Sequence, residues 1–127
     1  MYKRQFYTTI DEELQLADCV TTYTISDFSR KLISNGDGSD HAWGGHSMVM
    51  GGGIQGQRIF GQYPDLYDGH SQDIGNGRII PTTSCDEIFA ELALWFGASS
   101  SDLDMILPNL PNFWDPNSSS MPLGIFS

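Results

Sequence analysis

The sequence predicts an α/β protein, because segments with the periodicity of a helix alternate along the chain with segments typical of strands. An apolar residue at every fourth position, with acidic residues between, predicts an amphipathic helix over residues 6–16. Residues 20–25 read VTTYTI, a β-branched and aromatic run that favours a strand. Residues 84–96 predict a second helix. We therefore expect helices packed in layers on a sheet.

The strand over residues 20–25 does not alternate strictly between apolar and polar side chains, as expected for a strand that is covered on both faces. A short helical turn is predicted to follow the polar residues 26–30. The middle of the chain is rich in glycine and polar residues, which favours loops between short extended segments. The predicted segments are a glycine-rich loop over residues 34–45, short strands at 47–50 and 58–60, a surface loop over 61–78 and an extended segment at 79–80.

The helix over residues 84–96 has the clearest boundaries. Ser84 and Glu87 have the spacing of a capping box, in which each side chain accepts a hydrogen bond from the other residue's backbone N–H. Gly97 follows the last apolar residue of the helix and can adopt the positive φ that ends it. A shorter helix is predicted over residues 101–107, before a proline, and the proline- and serine-rich tail beyond it is predicted to be irregular.

The composition argues against two classes of partner. The 127-residue chain carries 16 acidic and 6 basic residues, a net charge of −10 at pH 7. Nucleic-acid binding needs clustered Lys and Arg to neutralise phosphates, so it is not expected. The same charge disfavours an anionic membrane surface, and no apolar run approaches the roughly 20 residues that span a bilayer. Two cysteines, Cys19 and Cys85, are compatible either with one disulfide or with two buried thiols.

Asp27 and Arg30 are the first candidates for a binding site. Asp27 comes just after the predicted strand, and ligands of α/β sheets bind beyond the carboxyl ends of the strands. Arg30 would then lie near a substrate. The alternative is structural, with Asp27 capping the turn that follows and Arg30 serving as its ion-pair partner.

Asp40, His41 and His46 form the second candidate site, in a stretch that reads SNGDGSDHAWGGHSMVMGGG. Divalent metal ions bind carboxylate oxygens and imidazole nitrogens, and the glycines would let these side chains converge. The alternative is that Asp40 and His41 only form hydrogen bonds within the loop. An EF-hand calcium site is excluded, because its Gly position holds Asp40 and its Glu position holds His46. His70, in a polar loop, is predicted to be solvated.

Three motifs occur in an order that resembles the DUF1501 family. They read TTYTISDFSRKLISNGDGSDHAWGGHSMVMGGGIQGQRIFGQYP, then GNGRIIPTTSCDEIFAELALWFGAS, then ILPNLPNF. The likeness covers residues 6–113, which we interpret as the C-terminal part of such a domain, followed by an irregular tail over residues 114–127. Residues 1–5, MYKRQ, resemble the translated end of a sequencing adapter and are interpreted as a processing scar.

The resemblance implies membership of the alkaline phosphatase/sulfatase superfamily, and therefore a doubly wound α/β sheet that is incomplete in this chain. Family members are bacterial proteins with a twin-arginine export signal, which implies a periplasmic or secreted location. Enzymes of the superfamily use a Ser, Thr or modified Cys nucleophile together with metal ions held by Asp and His. The nucleophile and the export signal are expected upstream of this chain.

The function implied by the resemblance is metal-dependent hydrolysis of a small anionic ester, a phosphate or a sulfate. The metal would be a divalent ion such as zinc or calcium. The predicted metal ligands are Asp27, Asp40, His41 and His46, and the predicted substrate-binding residue is Arg30.

A departure from the superfamily pattern favours a second interpretation. The superfamily motif Ser-Asp-His-Gly is replaced here by Ser26-Asp27-Phe28-Ser29, and Phe28 cannot bind a metal. The alternative is therefore a non-catalytic exported binding or assembly protein that keeps the fold.

Overall fold

The computed structural model describes residues 2–126 and has a mixed α/β architecture with small antiparallel sheets. Its elements, in chain order, are α1 (Tyr2–Thr8) with a π-helical continuation (Thr9–Glu13), a 3₁₀ turn (Ala17–Cys19), β1 (Thr22–Tyr23), β2 (Ser29–Ser34), β3 (Ser39–Ala42), β4 (Val49–Met50), α2 (Cys85–Phe96), a 3₁₀ turn (Ser100–Asp102), α3 (Leu103–Ile106) and a last 3₁₀ turn (Leu110–Asn112). The mixture of helices and strands predicted from the sequence is confirmed, with the strands in small antiparallel sheets.

The N-terminal helical region begins earlier and ends earlier than residues 6–16. It runs from Tyr2 to Glu13, and Gln15 then adopts a φ of 55°, which breaks the helix. Met1, the first residue of the segment interpreted as a scar, lies outside the described residues. Among residues 2–126, no helix is both long enough and apolar enough to cross a bilayer.

The first sheet pairs β1 with β4, with Tyr23 opposite Val49. The strands predicted at residues 20–25 and 47–50 are thus present but shorter. The regular backbone pairing of these two strands ends at Thr24, where the side-chain hydroxyl and not a backbone carbonyl accepts the Met48 N–H, at 2.8 Å. Such local side-chain hydrogen bonds compete with a regular ladder.

The second sheet is a hairpin of β2 and β3, with Arg30 opposite His41. The prediction of a short helical turn after residues 26–30 is wrong, because Ser29–Ser34 form the strand β2. The glycine-rich loop predicted over 34–45 is also shorter than expected. Its turn is held by the Asn35 side chain, which accepts the Asp37 N–H at 3.1 Å, and by Gly36 at a φ of 102°.

The helix α2 has the caps that the sequence predicted. The Glu87 N–H donates to the Ser84 hydroxyl at 3.1 Å, and the Ser84 N–H donates to the Glu87 carboxylate at 2.8 Å. Gly97 ends the helix in the left-handed region, at a φ of 107°. The core of the molecule forms on this helix, where Ala90 packs with Leu103 and Leu110.

The C-terminal segment is irregular, as predicted, but it is anchored on α2. The Glu91 side chain is fully buried, and its carboxylate accepts the backbone N–H groups of Leu123 and Gly124, each at 2.5 Å, and of Ile125 at 2.7 Å. Phe126 bridges to Ile54 in an antiparallel pair. Ser127 lies outside the described residues.

Two further expectations are corrected. The strand predicted at residues 58–60 is absent from the described structure, and the extended pairing in this region falls on residue Ile54 instead. Cys19 and Cys85 are both exposed free thiols, so they form neither the disulfide nor the buried pair considered from the sequence. Cys85 is exposed because it occupies the first turn of α2, at the surface.

Candidate functional site

Two of the candidate residues, Asp27 and His46, line one open cleft. The cleft has a volume of about 1240 Å³ and lies between the β1/β4 sheet, residues 56–64 and the first turns of α2. Asp27 is exposed at its wall, just beyond β1. His46 stacks on Tyr63, with the ring centres 4.8 Å apart and the ring planes at 17°. The cleft therefore presents one carboxylate and one imidazole to a ligand.

The walls of this cleft are mainly apolar and aromatic. Several large side chains that line it are exposed to solvent, Trp43 by 71% and Ile59 by 66%. Further lining residues of this kind are Ile25, Phe28, Met48 and Tyr63. Exposed apolar surface that is gathered in one concave place marks a binding region.

The other three candidates lie on the β2/β3 hairpin. Arg30 and His41 are direct cross-strand partners, and both contact the ring of Phe28. The His41 imidazole stacks on that ring with centres 4.0 Å apart, and the Arg30 guanidinium lies 5.2 Å from the ring centre. The guanidinium also donates to the Ser39 carbonyl at 2.5 Å. Arg30 is thus held mainly by its own hairpin.

Asp40 already has two partners. Its carboxylate pairs with the Lys31 ammonium at 2.5 Å and accepts a hydrogen bond from the Asn35 amide at 2.6 Å. The hydrogen bond from Lys31, followed by that from Asn35, holds the pKa of Asp40 below its usual value. A metal ion at Asp40 would have to displace the Lys31 ammonium, a cation already in contact with the carboxylate.

The donor groups of residues 2–126 do not form a metal site by themselves. In this part of the chain, no three His, Cys, Asp or Glu side chains lie close enough to hold one ion. Asp27 and His46 line the cleft, whereas Asp40 and His41 are engaged on the hairpin. Zinc sites in proteins have three or four protein ligands, and calcium sites have more. The described residues therefore do not fit a resident metal ion.

His70 is buried, although a solvated side chain was predicted. Only 4% of the residue is accessible, and its Nδ1 accepts the Gln72 N–H at 3.2 Å. Its Nε2 has no hydrogen-bond partner among residues 2–126. The ring packs edge-on against Tyr67, with centres 5.5 Å apart. The prediction failed because the loop folds back on itself, with the Asp73 N–H donating to the His70 carbonyl and the Ile80 N–H to the Gln72 carbonyl, each at 2.9 Å, and polar composition does not reveal such a fold.

Asp73 organises this loop, and the sequence reading did not single it out. Its carboxylate accepts the backbone N–H groups of Gly69, Gly75 and Gly77 at 2.8–3.1 Å. These hydrogen bonds, with that of Gly69 contributing most, lower the pKa of Asp73 to about 2. The signal that could have found it is an Asp among nearby glycines, whose free N–H groups can surround a carboxylate.

Residues 12–99 match the sequence model of DUF1501, a family described as proteins of unknown function. This match spans more than half of the chain. No curated protein and no solved structure matches the chain.

Proposed function

The chain belongs to the DUF1501 family, and we propose that it is a non-catalytic binding protein whose binding site is the cleft. The observation that carries this proposal is the set of contacts made by Asp40 and His41 in the β2/β3 hairpin. The Asp40 carboxylate is neutralised by Lys31, and the His41 ring is stacked on Phe28. The Lys31 ammonium occupies the carboxylate that a metal ion would need, and the stacking contact fixes the orientation of the His41 ring.

The cleft supports binding in a way that the hairpin does not. Its exposed rings, Trp43 and Tyr63, can stack on or pack against a partner at little entropic cost, because aromatic side chains have few rotatable bonds. Asp27 is the one carboxylate among the described residues that line the cleft. Such a surface, mainly apolar with few charged groups, resembles a protein binding site more than a hydrolytic centre.

A metal-binding measurement on the purified chain tests this proposal. We expect no stoichiometric zinc or calcium after dialysis and elemental analysis. We also expect His41→Ala to lower the free energy of unfolding by no more than about 1 kcal/mol, because it removes one exposed ring contact. Bound metal that disappears in His41→Ala and in Asp40→Asn would show instead that the hairpin is a metal site.

A second candidate function has one observation in its favour. It is the metal-dependent hydrolysis of phosphate or sulfate esters, as in the alkaline phosphatase/sulfatase superfamily. Asp27 and His46 line the same cleft, so two donors could contribute to a site there. The remaining ligands and the nucleophile would have to come from outside residues 2–126, on a doubly wound sheet to which this chain contributes a part. Arg30 would approach a small anionic ester, and the protein would work in the periplasm or after secretion.

Hydrolysis assays distinguish the second candidate from the first. Nitrophenyl phosphate and nitrophenyl sulfate are offered, with zinc or calcium, to a longer protein that contains this chain together with the upstream nucleophile, as wild type and as Asp27→Asn and His46→Ala. The hydrolase candidate predicts metal-dependent turnover that both substitutions abolish, while Asp37→Asn, in the exposed hairpin turn, leaves it intact. Absence of turnover, together with absence of bound metal, would eliminate this candidate.

A further inference from the structure

Two Asn-Gly pairs occur in the chain, Asn35-Gly36 in the turn between β2 and β3 and Asn76-Gly77 in the loop that Asp73 organises. In such a pair the backbone nitrogen of the glycine can attack the side-chain amide carbon of the asparagine, because glycine has no side chain to obstruct the approach. The attack forms a five-membered succinimide ring and releases ammonia, and water then opens the ring to aspartate or isoaspartate. An unfolded chain allows this reaction at both pairs, so the fold decides which pair reacts.

The first pair is open to solvent, whereas the second is packed. Asn35 and Gly36 are both exposed. Apart from the two chain neighbours of Gly36, no described residue has an atom within 4 Å of the position that a Cβ on this glycine would take. Gly77 is buried, a Cβ added there would lie 2.8 Å from the Leu32 Cβ, and its carbonyl accepts the Leu32 N–H at 2.9 Å. Ring closure requires the backbone at the glycine to rotate, and close packing resists that rotation at Gly77.

The attacking nitrogen must lose its proton, and the two glycine N–H groups have different acceptors. The Gly77 N–H donates to the Asp73 carboxylate at 3.1 Å in a charge-assisted hydrogen bond that holds this nitrogen in place. A carboxylate whose pKa is about 2 is too weak a base to remove the proton. The Gly36 N–H donates to the Ser34 hydroxyl at 3.1 Å, a neutral and exposed partner. Hydroxide from the solvent can therefore reach the proton on Gly36.

The side-chain amide of Asn35 is polarised for attack. Its oxygen accepts the Asp37 N–H at 3.1 Å, and negative charge forms on this oxygen during the attack, so the same donor stabilises it. The amide nitrogen, which leaves as ammonia, donates to the Asp40 carboxylate at 2.6 Å. This hydrogen bond lies at the surface, where water competes for both groups, so it does not prevent the amide from turning toward the Gly36 nitrogen.

From these observations, we propose that Asn35 is a site of self-modification, at which the Gly36 nitrogen displaces ammonia from the Asn35 side chain. A bond forms between this nitrogen and the Asn35 Cγ, and the bond from Cγ to the amide nitrogen breaks. The proton lost from Gly36 is balanced by the proton that the departing ammonia takes up from solvent. Water then adds to one ring carbonyl and opens the ring to a carboxylate, without oxidation or reduction. The inference is independent of what binds in the cleft.

The modification changes the charge at the hairpin turn. The product carboxylate at residue 35 replaces the amide that donates to Asp40, so two carboxylates face each other beside the single ammonium of Lys31. Like charges this close repel. The isoaspartate product also adds one methylene to the backbone of the turn. Both products therefore loosen the turn that joins β2 to β3, and the hairpin changes slowly as the protein ages.

Mass spectrometry of tryptic peptides tests this inference on the whole chain. The protein is incubated for several days at mildly alkaline pH, either folded or in urea, and a digest of fresh protein supplies the background. Trypsin produces peptides 32–58 and 59–78, each of which contains a single asparagine, Asn35 in the first and Asn76 in the second. The mass increase on loss of ammonia and gain of water is therefore assigned to one residue.

We expect Asn35 to react at least about tenfold faster than Asn76 in the folded chain, and the two rates to come within about threefold of each other in urea. The control Asn35→Gln should leave peptide 32–58 unmodified, because glutamine is one methylene too long for the five-membered ring. Three results would overturn the inference: no reaction at Asn35 in the folded chain, a rate at Asn76 that equals or exceeds it, or a tenfold difference that persists in urea.

Discussion

Glu91 joins the C-terminal segment to α2, and a change of one atom in its side chain should weaken this connection. Its carboxylate is fully buried and receives three backbone N–H groups of the C-terminal segment, those of Leu123, Gly124 and Ile125. The substitution Glu91→Gln keeps the size and shape of the side chain. It replaces one acceptor oxygen by an amide that donates, and it removes the negative charge.

The magnitude follows from these three hydrogen bonds. If the amide oxygen takes the position that faces Leu123 and Gly124, the NH₂ group faces the Ile125 N–H, and a buried donor is left without an acceptor. Such a donor costs about 1–3 kcal/mol. The two remaining bonds lose their charge assistance, at up to about 1 kcal/mol each. Part of this loss is offset because the neutral amide is easier to bury than a carboxylate. We expect a net destabilisation of about 2–4 kcal/mol, a large share of the roughly 5–15 kcal/mol that stabilises a domain.

Urea unfolding followed by circular dichroism measures this loss, with Glu12→Gln as the matched control. Glu12 is exposed in the π-helical continuation of α1, so its substitution should change stability by less than about 0.5 kcal/mol. Hydrogen exchange at Leu123, Gly124 and Ile125 reports the anchor directly, and these amides should lose protection in Glu91→Gln. If Glu91→Gln behaves like Glu12→Gln and the three amides stay protected, the carboxylate does not hold this segment.

Three further predictions concern other parts of the fold. Ser84→Ala should lower the free energy of unfolding by about 1 kcal/mol, because the Glu87 N–H loses its acceptor. Thermal unfolding measures this loss, and the control Ser84→Thr should keep most of the stability. Gly97→Ala should cost about 1 kcal/mol in urea unfolding, because residue 97 has a φ of 107°, and an unchanged midpoint would contradict the strain argument. Asp73 has a pKa lowered from 3.8 to about 2 on folding, so its contribution to stability is present above about pH 4 and is lost as pH falls toward 2. Unfolding measured across this pH range should therefore be less pH-dependent in Asp73→Asn than in the wild type.

The sequence predicts structure correctly where all the residues that determine an element lie within one short segment. The capping box of Ser84 and Glu87 and the stop at Gly97 needed no distant partner, and α2 begins and ends where they place it. The hairpin of β2 and β3 was missed, although its turn is equally local. The four residues from Asn35 to Gly38 reverse the chain through an Asn side chain and glycines. The strand that follows this turn reads SDHA, and it lacks the β-branched and aromatic residues that mark a strand in a sequence.

The sequence by itself determined the α/β class, the family and the ends of the longest helix, since these depend on patterns within short windows of the chain. Only the tertiary structure decided which candidate residues share a surface. Asp27 and His46 both line the cleft, whereas Asp40 is paired with Lys31 across the hairpin. It also decided that Glu91, an acidic residue on an amphipathic helix, is buried. Such outcomes depend on contacts between residues far apart in the chain, and burial follows from the contacts that form rather than from the polarity of a side chain.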